Sequence, residues 1–197
     1  MLRGVIIQSG NDASKALAEH IGGSEPAFAE IMNAEAKRLG MKNTNFMNAT
    51  GLPDPAHITT ARDMATLAQA IIRDNPKYYP IYSEKEFTYN NIKQGNRNAL
   101  LYTDPSVDGL KTGHTEAAGY CLVASSKRGN MRLITAVMGT NSMQERADQT
   151  RALFSWGFSS YETIKPLTAG KVLGSAQVWF GTEDQVTAGL DRDLSIT

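Results

Sequence analysis

Along the first 75 residues, apolar positions recur with the three-to-four-residue period of a helix. Leu2, Val5, Ile6 and Ile7 predict a first helix that runs into Ser9 without a start signal before it, as though it were the end of a longer element. A second helix is expected from Asp12 to Ile21, stopped by Gly22-Gly23. A third begins with Ser24 as cap and Pro26 in its first turn, carries Phe28, Ile31, Met32 and Leu39 on one face, and ends at Gly40. Residues 43–58 have the Gly and Pro punctuation of a loop. Thr60 and Asp63 then form a capping-box-like start, and Met64, Leu67, Ala68, Ile71 and Ile72 trace the stripe of a buried helix face that Asn75-Pro76 terminates.

After that the period shortens. Glu86 to Tyr89 predicts a strand, and Asn90 to Asn98 is polar and turn-rich. Gly119 to Ser125 and Met131 to Met138 predict two strands joined by a turn at residues 127–130, with Lys111-Thr112-Gly113 at the start of an apolar strand. Ser142 and Glu145 form a capping box for a closing helix with Met143, Ala147, Phe154 and Phe158 on its apolar side. Helices, then antiparallel strands, then a helix predict an α+β fold. From Pro166 the texture becomes β-like, with short segments at 171–173, 177–180 and 193–197 between glycines. About thirty residues are too few to fold alone, so two regions are expected: residues 1–165, and residues 166–197 as the opening of a cut-off β-rich domain.

Lys+Arg and Asp+Glu each number 20, so the net charge is zero and a general nucleic-acid footprint is excluded. No apolar run approaches a membrane span, and the apolar start is too short for a signal peptide. Cys121 is alone, which rules out an intrachain disulfide and a cysteine metal cluster; its place in a strand predicts a buried apolar role. His57 with Asp54 offers too few ligands for zinc, and no cofactor motif is present.

Two short motifs carry chemistry. Lys111-Thr112-Gly113 offers a cation, a hydroxyl and a residue without a side chain, where a peptide backbone can approach a strand edge. Taken alone, it also fits a surface turn. Ser9-Gly10-Asn11 alone reads as a helix stop followed by a cap. Together they are two parts of a three-part serine acyl-transfer site whose remaining part is Ser-x-x-Lys. No serine among these residues is followed three positions later by lysine; Ser125 has Arg128 there instead.

The segments Gly4 to Ala13, Thr60 to Met64, Asn96 to Leu101, Val107 to Thr115, Ala118 to Tyr120, Phe154 to Phe158 and Val178 to Gly181 resemble the D-alanyl-D-alanine carboxypeptidases, low-molecular-mass penicillin-binding proteins, in the same order. The resemblance spans almost the whole chain. It implies a partial penicillin-binding, β-lactamase-like transpeptidase domain (a helical subdomain plus an antiparallel sheet with packed helices), followed by the start of a β-rich domain. It implies catalytic roles for Ser9, Asn11 and Lys111, and substrate binding by Lys111, Thr112, Gly113, the backbone N–H of His114, and Arg97. The His114 imidazole is not implied as a base, since activation in this family runs through lysine and serine. The implied partners are a peptidoglycan pentapeptide ending in D-Ala-D-Ala and β-lactam antibiotics, without a cofactor. The implied setting is the periplasm at the inner membrane, held by a C-terminal anchor outside these residues. With no Ser-x-x-Lys segment, the chain is expected to be inactive alone. A shortened, non-catalytic peptide-binding or structural module is the alternative. A β-lactamase relative shares the three motifs but has no need of the β-like tail.

Overall fold

The computed structural model describes all 197 residues. Three helices open the chain: α1 (Leu2–Gln8), α2 (Asn11–Gly22) and α3 (Glu25–Arg38). Ser24 caps α3 by accepting a hydrogen bond from Ala27 N. Residues 39–60 form a loop held by one antiparallel bridge between Asn45 and Ile58. α4 (Ala61–Asp74) starts where Thr60 Oγ1 accepts from Asp63 N at 3.2 Å, as the sequence predicts. Its apolar stripe is less covered than expected. Ala68 is buried, but Met64, Leu67, Ile71 and Ile72 are only half-buried.

A 3-10 turn, Tyr79–Ser83, leads to a hairpin of β1 (Glu86–Tyr89) and β2 (Ile92–Gly95). The second strand was hidden in the polar stretch, where Ile92 is the sole apolar residue. Asn90 and Asn91, at φ 49° and 60°, supply the left-handed pair that a tight hairpin turn requires. After α5 (Leu100–Thr103), a three-stranded antiparallel sheet follows: β3 (Val107–Thr115), β4 (Gly119–Arg128) and β5 (Met131–Thr140), in the order β3-β4-β5. The Lys-Thr-Gly triplet lies well inside β3 rather than at a strand start. Lys111 is opposite Val123, and Gly113 is opposite Cys121. β3 is therefore an edge strand of this sheet.

The core has two patches, one per sheet face. α6 (Met143–Ser160) brings Ala147 and Phe154 against Leu100, Leu101, Val107, Leu122 and Ala124. α4 brings Ala68 against Tyr79, Leu110 and Val123. The entry of β3 is clamped: Arg132 from β5 holds Asp108 through both oxygens at 2.7 and 2.8 Å, and Tyr79 donates to Asp108 at 2.7 Å.

In the tail, β6 (Ile164–Leu167) pairs with β9 (Leu194–Ile196), and β7 (Val172–Gln177) with β8 (Gln185–Gly189). The strand expected at 177–180 is absent, because β7 ends at Gln177 and Phe180 turns at φ 62°. Every residue of β7, β8 and β9 is exposed. The whole chain presents 12619 Å² to solvent. A compact folded chain of 21.4 kDa presents about 9,100 Å². The difference, about 3,500 Å², is surface of a kind that folded domains ordinarily cover.

Candidate active site

Ser9 ends α1 in the left-handed conformation, φ 59° and ψ 43°, with Ser9 N and Gly10 N closing back onto Val5 O and Gly4 O. A non-glycine residue there costs about 1–2 kcal/mol. The reversal aims the Ser9 hydroxyl across the molecule and lets α2 begin at once, with Gly10 rather than Ser9 or Asn11 as its cap. Asn11 is the first residue of α2 and opens onto the same space.

Lys111 reaches that space from β3, 102 positions along the chain. Its ammonium donates to Ser9 Oγ and to Thr112 O, the latter at 2.9 Å. An ammonium has three N–H donors, so one remains for a further acceptor. Ser9, Asn11, Arg97, Lys111, Thr112, Gly113 and His114 all line one cleft of about 710 Å³. The seven residues that the family resemblance singles out are thus brought to one place.

The cleft is strongly cationic. Arg97, Lys111 and Arg146 line it, and no Asp or Glu does. Burial pushes the Lys111 ammonium down to a pKa of about 8, and the Arg97 and Arg146 charges push the same way. Arg146 was not picked out from the sequence, where it sits unremarkably in the closing helix. It is only 6 % exposed, pairs with no carboxylate, and lies 5.7 Å from the Tyr120 ring centroid. Its Nη1 donates to Gly113 O and Cys121 O at 3.3 and 3.4 Å. Burial lowers its pKa from the ordinary arginine value. A buried guanidinium without a counter-ion is an anion site in waiting. The only sequence signal for it was an arginine in the first turn of a helix, where the helix dipole disfavours a cation.

The His114 ring lies tilted against Tyr120, 32° between planes and 3.9 Å between centroids, making an aromatic wall. Cys121 lines the cleft half-exposed, in contrast to the buried role expected, because its register partner Gly113 has no side chain to cover it. Thr50, Gly51 and Leu52 form the opposite rim. One atom fixes them: Asn48 Oδ1 accepts from Thr50 N, Thr50 Oγ1, Gly51 N and Leu52 N at 2.8 to 3.2 Å. Outside the cleft, His57 packs edge-on to Phe46 at 5.7 Å, and no cluster of three potential metal ligands occurs.

Residues 1–142 match the D-alanyl-D-alanine carboxypeptidase family. The chain belongs to it. Residues 161–197 match the C-terminal domain of penicillin-binding protein 5. D-alanyl-D-alanine carboxypeptidase DacA of Escherichia coli K12 is 48% identical over 198 residues, covering 100% of this chain and 49% of that protein. The crystal structure of penicillin-binding protein 5 from Haemophilus influenzae superposes with a TM-score of 0.88 at 50% identity, covering 98% of this chain and 57% of that one. Penicillin-binding protein D2 from Listeria monocytogenes, solved in an ampicillin-bound form, superposes with a TM-score of 0.74 at 32% identity, covering 79% of this chain and 65% of that one. The partial transpeptidase domain and β-rich opening expected from the sequence are therefore the fold. The chain spans about half the length of the curated relatives it matches.

Proposed function

We propose that residues 1–165 supply two walls of a serine-type D-Ala-D-Ala carboxypeptidase site, and that residues 166–197 open its β-rich domain. The observation that carries this reading is the Lys111 ammonium on the Ser9 hydroxyl in a cleft lined by three cations and no acid. Such a cleft suits a peptide with a free carboxyl end. The substrate is a peptidoglycan pentapeptide ending in D-Ala-D-Ala, laid along the free edge of β3, where Gly113 lets its backbone approach. Thr112 Oγ1 and Arg146 hold the terminal carboxylate; Asn11 bonds the substrate amide; Arg97 adds positive potential. The His114 N–H is one oxyanion donor.

In the complete reaction a serine oxygen attacks the carbonyl between the two D-alanines. The C–N bond breaks, an ester forms, and the serine proton passes through lysine and Ser9 to the departing amine. Water then hydrolyses the ester. Penicillins enter the same route and stop at the ester. Ser-x-x-Lys does not occur in residues 1–197, so this chain alone binds but does not turn over. The setting is the periplasm, with membrane attachment through an anchor outside these residues; no helix here is long and apolar enough to cross a membrane.

A non-catalytic peptide-binding module is the second reading, favoured by a cation-rich cleft that needs no nucleophile to hold a carboxylate. A calorimetric titration with diacetyl-L-Lys-D-Ala-D-Ala tests what both share. Binding is expected for the free acid and not for its C-terminal amide; equal binding of the two would end both readings. Fluorescent penicillin on a longer chain that includes Ser-x-x-Lys separates them, because only an enzyme is labelled.

A further inference from the structure

One nucleophile in the cleft has no part in the carboxypeptidase reading. Cys121 is a free, half-exposed thiol on β4. It is open because its register partner is Gly113: a β-carbon at Gly113 would stand 3.9 Å from Cys121 Cβ and shield it. Its own contacts do not tie it down. Sγ reaches Ala118 O at 3.5 Å and Gly119 O at 3.9 Å, and a thiol is a weak donor. Cys121 also lines a second opening, an apolar groove of about 350 Å³, so the sulfur is approached from two sides.

A thiol by itself selects nothing; the group beside it does. Arg146 is 6 % exposed, and its Nη1 donates to the carbonyl oxygen of Cys121 itself at 3.4 Å and to Gly113 O at 3.3 Å. A guanidinium carries five N–H donors. Those on Nε and Nη2 have no acceptor within the folded chain, and the cleft they open onto holds no Asp or Glu. A buried cation with unused donors is therefore aimed into the space that the sulfur lines, and Lys111 and Arg97 add to the same positive field. We propose that Cys121 is a covalent modification site for small disulfides that carry a carboxylate, which Arg146 holds while the sulfur exchanges. The inference rests on the cation-rich cleft and not on the carboxypeptidase reading.

The step is thiol–disulfide exchange. Cys121 gives its proton to water, and the thiolate attacks one sulfur of the reagent. The new S–S bond forms as the old one breaks, and the departing sulfur leaves as a thiolate that takes up a proton. The reagent disulfide is the only oxidant needed. Such disulfides persist in oxidising compartments, of which the periplasm is one. The adduct leaves a carboxylate in the cleft beside Arg146, so it competes with a peptide carboxylate for the same guanidinium.

The test offers the 197-residue chain three disulfides of similar size: anionic 3,3′-dithiodipropionate, neutral bis(2-hydroxyethyl) disulfide and cationic cystamine. Mass spectrometry of the intact chain reads the adduct. Each rate is divided by the rate with the same chain unfolded in urea, which cancels the intrinsic reactivity of the reagent. The normalised rates should fall from anionic to neutral to cationic, with at least tenfold between the extremes. In about 1 M salt, where screening acts within about 3 Å, the spread should shrink severalfold. Arg146→Met should remove most of the preference, and the salt series carries the same information if that variant fails to fold. Equal normalised rates, cystamine ahead, or no adduct on the folded chain would overturn the site; a preference that survives both Arg146→Met and salt would overturn its cause. The adduct should lower affinity for diacetyl-L-Lys-D-Ala-D-Ala at least tenfold, with recovery on reduction by dithiothreitol, and an unchanged affinity would overturn the competition for Arg146. If the unmodified chain does not bind that peptide, the proposed function fails, and the order of rates still decides the thiol site.

Discussion

The Lys111 ammonium should act as a pH gate on carboxylate binding. Burial and two neighbouring guanidinium groups bring its pKa to about 8, against about 10.4 for a free lysine side chain. Roughly 90% of molecules then carry the charge at pH 7, and roughly 10% at pH 9. If that charge is what a terminal carboxylate meets, affinity for diacetyl-L-Lys-D-Ala-D-Ala should fall up to about tenfold over those two pH units. It should then level at a floor set by the guanidinium groups that share the cleft, Arg97 and Arg146. By reciprocity the bound peptide should raise the lysine pKa. The same group affects stability in the other direction. Its folded pKa lies below its unfolded value, so the unfolded chain binds more protons between pH 8 and about 10.4, and stability should rise across that window. Calorimetric titrations at half-unit steps from pH 6.5 to 9.5, with Lys111→Gln as the flat control and Cys121→Ser as background, measure the gate. A free-acid affinity that is the same at pH 7 and pH 9, or a Lys111→Gln chain that keeps the full pH profile, would refute the argument.

Three further outcomes are expected. Arg146→Met should lower affinity for the free-acid peptide at least tenfold while barely changing affinity for its amide, because the lost group is a buried guanidinium with no internal counter-ion. Arg132→Met should cost roughly 3 kcal/mol in urea melts by leaving Asp108 with only the Tyr79 hydroxyl; a loss below half a kcal/mol would show that the clamp on β3 is ornamental. Phe154→Ala should cost about 3–5 kcal/mol, since that ring is 1 % exposed at the centre of the α6 patch, and a chain with this much uncovered surface is expected to lose its cooperative transition altogether.

Much of this arrangement could be read before any coordinates. Ser24, Thr60 and Ser142 announced their helices because a cap is a local event, settled by one side-chain oxygen and an amide three residues on. The gathering of Ser9 and Lys111 was legible only through family likeness, since nothing in local spacing links residues 102 positions apart. Other features depended on packing that the pattern does not record. β2 carries one apolar residue, so alternation could not reveal it. Cys121 looked like core because strands usually bury such a residue, but its exposure was decided across the sheet by Gly113. Arg146 offered a wrong-signed charge at a helix start, a small inconsistency that becomes informative once the cleft is seen.

The amide oxygen of Asn48 has a thermodynamic corollary. Ordering residues 48–52 when a guest arrives would cost about 1–2 kcal/mol for each residue frozen. Four donors within the folded chain itself converge on that oxygen, so the loss of freedom is met during folding and not during encounter. The mouth behaves as a fixed doorframe. Guests should be sorted by how well they fit it, and crankshaft motion in this segment should look alike, by amide relaxation, whether the room is let or empty.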